Sequence, residues 1–393
     1  MNRRAFLTGC ACGSCAAILG GAPSLAVELL EPTLPPHYKP DDPRLEGGLW
    51  MVMEEAEKRI KQSPQLVRDD EATAYLHDIM CRLAGDYCPD IRVYLMRSPY
   101  FNATMAPNGM MVVNTGLLLR VQNEAQLAFV LGHELGHYLR QHSLQNFKKV
   151  RNTASFLAFL AVGFAAAGQY NASSAANYIG MASIFGFSRK MEAEADAYGA
   201  QLVAQAGYPP DQGAIVWENL VEETEAAKYR KYQDPFFASH PNPENRAAMI
   251  SQRAAALEEI VVTGKAEDRY RSLIEPRRSM LLQDDLELRQ FGQSEVLIKR
   301  LMAEGFRLGE LEFFYGELCR MREQPGDRDN AMAHYLQALE YPDAPAQTHR
   351  SMGYLLLKAN KTAEAGDNFR KYLELTPDAS DRAMIEMYVG GTI

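Results

Sequence analysis

Two histidines four residues apart, with a glutamate between them, stand in the mostly apolar run FVLGHELGHYLRQH at 129–142. On a helix, residues four apart differ by about 40° in direction, so His133 and His137 project from one face. Both imidazoles then reach one ion at about 2.0–2.1 Å, the distance Zn2+ prefers. Glu134 follows the first histidine and can point into the same cavity without binding the ion. A carboxylate there takes a proton from water and later hands it to a leaving amine. His142 lies about 140° from His137 on a continuous helix, so it is read as structural. Asn123, with Gln126 three residues on, has the pattern of a capping box opening this helix.

Two imidazoles need a third ligand, and SRKMEAEADAYGA at 188–200 offers candidates. Glu192 and Asp196 are four apart on a second expected helix. One carboxylate at that spacing can bind the ion while the other orients a ligand imidazole through its free N–H. Glu194 turns to another side and is expected to be solvated.

HELGH, followed about 55 residues later by an S-R-x-x-E-x-E-A-D block, resembles the zinc metallopeptidase family that includes HtpX and the CAAX prenyl proteases, a gluzincin family. SHPNPENR, in which His240-Pro241 precedes Arg246, and NATMAPNGMMVVNTGL at 102–117 fit the same resemblance, which covers about residues 50–255. It implies one Zn2+ per chain, with His133, His137 and Glu192 as ligands and Glu134 as general base. Asp196 becomes the partner of a ligand histidine and Arg246 an ion-pair partner. His240 lies where the family keeps a histidine near the metal. It either stabilises the oxyanion or occupies the open position and holds the enzyme closed; the plain alternative is a turn before a helix at 243–258.

Around this block the chain divides into four expected parts. Residues 1–26 read as an export signal, with Arg3 and Arg4 ahead of a weakly apolar stretch closing at Ala26 in a small-x-small pattern,. The paired arginines resemble a twin-arginine signal, and a lipid anchor at Cys10 is the alternative. A proline-rich arm at 27–46 leads into the peptidase domain at 47–260. Helices are expected at 47–60 and 70–84, and strands at 91–97 and 109–114. From 270 to 393, Ala331, Tyr335 and Leu339 recur 34 residues later as Ala365, Phe369 and Leu373, a spacing that resembles tetratricopeptide repeats,. The expected fold class is therefore α+β and mainly helical: a gluzincin-type domain with a small β-sheet, then an all-α tetratricopeptide-like domain. Cys81 and Cys88 are either a local disulfide of an exported protein or two small buried residues beside a turn. Cys319 is expected as a buried helix-packing residue.

No run of about 20 apolar residues exists, unlike the bilayer-spanning members of the family. ASFLAFLAVGFAAAG at 154–168 is too short to span upright and is expected as a buried or cleft-lining helix, with peripheral membrane contact as the alternative,. A formal net charge of −9 argues against nucleic acid as a partner,. An export signal before and repeats after resemble the periplasmic branch of the family that serves outer-membrane assembly. That implies an endopeptidase acting on unfolded or misassembled polypeptides, with the repeats engaging outer-membrane assembly proteins. The alternative is a chaperone or scaffold whose peptidase site is kept shut by His240. The strand at 109–114 is expected to hold substrate by strand addition.

Overall fold

The computed structural model describes residues 29–41, 46–149, 186–227, 236–237, 240, 245–257 and 265–390. The export signal at 1–26 and the apolar run at 154–168 lie outside those residues. Among the described residues helix dominates, with one three-stranded sheet.

Helices α1 (Glu46–Gln62) and α2 (Asp70–Ala84) form over the amphipathic stretches, each burying one face. Asp69 caps α2 by accepting the Ala72 N–H at 3.0 Å,. Cys81 in α2 is bonded to Cys88 in the 3-10 turn Gly85–Asp90, so these cysteines form the local disulfide rather than two separate thiols. Cys319 is free and buried.

Strands β1 (Arg92–Met96), β2 (Ala103–Met105) and β3 (Met110–Asn114) follow. Their order is β1-β3-β2, with β1 parallel and β2 antiparallel to β3. β3 is buried throughout and flanked on both edges. Strand addition to 109–114 is therefore blocked, because the backbone groups a peptide would pair with are already taken. The short β2, where no strand was expected, takes one of those edges.

After α3 (Thr115–Arg120) comes α4 (Glu124–Leu139), which is buried along its whole length. Asn123 caps it, accepting the Gln126 N–H at 2.9 Å. The Gln126 side chain accepts from Gln122 N at 2.9 Å, one residue before the position a standard capping box uses,. At the other end the arm docks: Thr33 N and Oγ1 donate to Leu139 O at 2.9 and 3.0 Å, supplying an orphaned terminal carbonyl,. Gln141, at φ +55°, breaks the path, and α5 (His142–Lys149) begins.

Helix α6 (Arg189–Gln205), capped by Ser188, packs across α4. The crossing is close because small residues line it. A Cβ on Gly132 or Gly136 would sit 3.3 Å from Gly199 O or 3.2 Å from Ala195 O, and one on Gly199 would lie 2.9 Å from His133 N. Helices α7 (Gln212–Ala226) and α8 (Arg246–Ala256) pack against this pair.

Helices α9 (Lys265–Ile274), α10 (Arg278–Glu287) and α11 (Phe291–Ala303) lead to α12 (Leu308–Arg322) and α13 (Asp327–Ala338), which pair. Then α14 (Gln347–Lys358) pairs with α15 (Thr362–Leu375), and α16 (Arg382–Val389) closes the stack. The small-against-aromatic contact recurs. A Cβ on Gly316 would lie 2.4 Å from the Tyr335 ring, and one on Gly353 would lie 2.5 Å from the Phe369 ring. Helices α9 to α14 share one apolar core with the sheet-bearing part, while α15 and α16 close a separate cluster around Phe369. Buried ions join the two as well: Arg120 reaches Glu223 at 2.7 Å and Asp285 at 2.6 Å, and Arg300 reaches Glu223 at 2.7 Å.

The α1 helix is held to the sheet through Glu57, which is buried. Arg92 donates to both of its oxygens at 2.7 Å, Tyr94 Oη at 2.7 Å and Asn108 Nδ2 at 3.2 Å. Burial alone would raise this carboxyl, but Arg92 and Tyr94 outweigh it and hold it down at about 2. A depressed folded pKa contributes stability above the unfolded value, here about 3 kcal/mol at neutral pH, which fades as pH falls from about 4.5 towards 2. Glu57→Gln should lose about that much at pH 7 and flatten the acid side of the stability curve. Urea unfolding at pH 7 and pH 3 checks both.

Candidate metal centre

The α4–α6 crossing sets His133 and His137 opposite Glu192, and His240 arrives from beyond α7. All four side chains are buried, and one donor atom of each lies within 4.8 Å of the others. His133 Nε2 is 3.1 Å from His137 Nε2, 3.3 Å from His240 Nδ1 and 3.7 Å from Glu192 Oε2. His137 Nε2 is 3.4 Å from Glu192 Oε1, and His240 Nδ1 is 3.1 Å from the same oxygen. Four donors about 2.05 Å from one centre at tetrahedral angles stand about 3.3 Å apart. The observed spacings bracket that value.

The far nitrogens strengthen the fit. His133 Nδ1 lies 2.9 Å from Asp196 Oδ1, so its proton belongs there and Nε2 is left bare,. His137 Nδ1 lies 2.9 Å from His142 Nδ1. With that nitrogen donating, two uncharged lone pairs face each other across 3.1 Å, an arrangement a cation between them stabilises. These residues fit a divalent metal with nitrogen and oxygen ligands. A second cluster among the described residues, His77 with Cys81 and Cys88, has both sulfurs committed to the disulfide.

Glu134 adjoins without joining. Its Oε1 is 4.0 Å from His133 Nε2 and 3.5 Å from His240 Nε2, is buried, and has no hydrogen-bond partner. Burial pushes this carboxyl above its usual range, more than His240 and His133 pull it down. Glu192 behaves oppositely. Burial would raise it, but His240 and His137 beside it hold it far below the ordinary carboxylate range. Burial pushes His137 well below the ordinary imidazole value, favouring the neutral form a metal needs,. For His240, burial acts downward, but Glu192 and Glu134 win and raise it.

Around these stands a shell of partners. Arg246 grips Asp196 with Nε at 2.6 Å and Nη2 at 2.7 Å, and reaches Glu192 Oε2 with Nη1 at 2.9 Å. Its guanidinium lies 3.6 Å from the Trp217 ring centre,. Phe187 stacks on His137 at 3.8 Å between ring centres, and Phe236 on His240 at 4.7 Å.

Sequence reasoning had His133, Glu134, His137, Glu192, Asp196, His240 and Arg246, and the fold brings all seven together. Two readings differ. Glu194 is not simply solvated: it accepts from Arg140 Nε at 2.5 Å and lies 3.5 Å from His142 Nε2. The helical angle for His142 does not apply, because α4 ends before it and the break at Gln141 swings its ring against His137. No glycine or proline announces that break. Trp217 and Phe187 carried no signal beyond aromaticity.

Known proteins match the same region. The model of peptidase family M48 matches residues 70–254, which include every residue of the cluster. Residues 70–254 form a peptidase family M48 domain. The Beta-barrel assembly-enhancing protease of Escherichia coli strain K12 is 26% identical over 227 residues, covering 54% of this chain and 45% of that protein. Mitochondrial metalloendopeptidase OMA1 of Arabidopsis thaliana is 32% identical over 170 residues, covering 43% of this chain and 33% of that one. The OMA1 protein of Schizosaccharomyces pombe is 32% identical over 161 residues, covering 41% and 45%. The chain thus spans less than half the length of these curated relatives. The family match begins at α2, so the arm and α1 lie ahead of it.

Arg246 neutralises two buried carboxylates of this M48 domain at once. Arg246→Met should leave Asp196 with His133 alone and Glu192 with its histidines alone, and cost about 3–5 kcal/mol in the metal-free protein,. Guanidinium unfolding with chelator present measures it.

Proposed function

We propose that this chain is an exported zinc endopeptidase, with His133, His137 and Glu192 holding the ion and Glu134 serving as general base. The observation that carries the reading is the convergence of bare Nε2 atoms and a carboxylate beside a second carboxylate whose Oε1 makes no hydrogen bond. A purely structural site needs no proton acceptor next to its metal. Zinc supplies Lewis acidity when bound, acidifying water and polarising a carbonyl. Glu134, raised by burial, is suited to take a proton from water at Oε1 and return it to the leaving amine,. Asp196 orients His133, Arg246 holds Asp196, and His240 and His137 keep Glu192 ionised.

Extended substrate lies along β2 in this reading, in place of 109–114. Asn102 and Ala106 bond to the β3 side, so the alternate residues Ala103 and Met105 turn their backbone groups to the outer edge,. The β2 strand packs beside α4, the helix that carries His133 and His137. The relatives named for β-barrel assembly, together with the twin-arginine pattern, support a role in quality control or assembly of envelope proteins in the periplasm. The helices from 270 onward would act as tetratricopeptide-like repeats that select unfolded polypeptides or outer-membrane assembly proteins.

One observation favours the second reading, a scaffold with a closed site. His240 Nδ1 stands at the fourth corner of the cluster, where the reacting water belongs. In this state His240 caps the site and the repeats do the work.

Both readings are tested on an unfolded outer-membrane protein, with zinc content measured alongside. Glu134→Gln should abolish cleavage while keeping one zinc per chain, and chelation should abolish it in the wild type. Cleavage by Glu134→Gln at the wild-type rate refutes the base assignment. His240→Ala should cleave faster than wild type if His240 caps, and slower if it stabilises the oxyanion.

A further inference from the structure

We infer that His142 is a positioning residue for His137, and that it carries the influence of Glu194 to the metal site through a neutral imidazole. The inference rests on His137 being a ligand.

An imidazole that offers Nε2 to a metal must keep its proton on Nδ1, and that proton needs an acceptor. His137 Nε2 faces the cluster, 3.1 Å from His133 Nε2 and 3.4 Å from Glu192 Oε1. Its Nδ1 faces away, 2.9 Å from His142 Nδ1. For His142 to accept there, its own proton must sit on Nε2, which points towards Glu194 Oε2 at 3.5 Å. His142 is buried, and its Nε2 makes no hydrogen bond among the described residues, so Glu194 acts on it as the nearby charge at 3.5 Å. Arg140 holds Glu194 in turn, and its Nη1 donates to Glu31 O of the arm at 2.6 Å. The chain is therefore Arg140, Glu194, His142, His137.

A parallel chain serves the other histidine: Arg246, Asp196, His133. Both carboxylates come from α6, two residues and one turn-face apart, and both end on an arginine. The difference is the inserted imidazole. His133 feels a carboxylate directly, whereas His137 feels one through a neutral ring, which fixes its tautomer while passing on less negative charge. The backbone at Gln141 makes this geometry: at φ +55° it ends α4 and folds the first side chain of α5 back beneath His137.

Zinc affinity, measured by chelator competition on the full chain, tests this with His137→Ala, His142→Leu, His142→Asn and Glu194→Gln. His142→Leu should weaken binding about 10- to 100-fold. His142→Asn should stay close to wild type, because Asn Oδ1 can accept where His Nδ1 did. Glu194→Gln should fall between. Equal loss in the Leu and Asn variants, or wild-type affinity in His142→Leu, overturns the relay. Unchanged affinity in His137→Ala instead overturns the ligand assignment beneath it. Should the leucine variant not fold, the wild type still decides. In the zinc-loaded, 15N-histidine protein, His137 should carry its proton on Nδ1 and His142 on Nε2, and either opposite tautomer rejects the inference.

Discussion

The close crossing of α4 and α6 governs everything built around it. Gly132 and Gly136 on one helix meet Ala195 and Gly199 on the other, so the backbones approach to a distance no larger side chain would permit. That proximity lets a glutamate on α6 reach two histidines on α4 with its short side chain. It also places Asp196 against the back of His133. Any methyl group added at Gly199 would press on the His133 backbone and move the ligand itself. The HELGH glycine is thus a packing residue first, and its neighbours inherit their geometry from it.

Much of the site was legible because helical spacing converts directly into direction. His133 with His137, and Glu192 with Asp196, sit four apart, so each pair had to share a face. Both amphipathic helices before the sheet and the Asn123 cap were readable for the same local reasons. What escaped depends on partners distant in sequence or on a break without a marker. β2 is three residues long, too short to alternate visibly. Glu194 looked solvated because Arg140 lies 54 residues away. His142 stands outside the ligand cluster, but the direction of its ring was not legible, because Gln141 adopts positive φ with no glycine to advertise it. The docking of the arm on Leu139 is likewise a contact across more than 100 residues.

Several buried carboxylates are matched to arginines, Asp196 and Glu57 with two-point geometry. Arg246 serves Asp196 and Glu192, and Arg92 serves Glu57. Glu134 departs from the pattern. Its Oε1 is buried without a hydrogen-bond partner and burial lifts its proton affinity, the condition a group needs if it is to exchange protons near neutrality,.

The Arg120 junction bears on how the C-terminal helices can be studied. Its guanidinium is sealed between Glu223 and Asp285, which belong to opposite sides of a shared core. Amputating the chain at 277 would strip this cation of half its counter-charge and bare apolar surface of the sheet-bearing part in one stroke. A truncated protein that failed would then report the wound as much as the missing helices. Surface substitutions on α13 to α16, which leave the seam intact, are the cleaner probe of what those helices recognise.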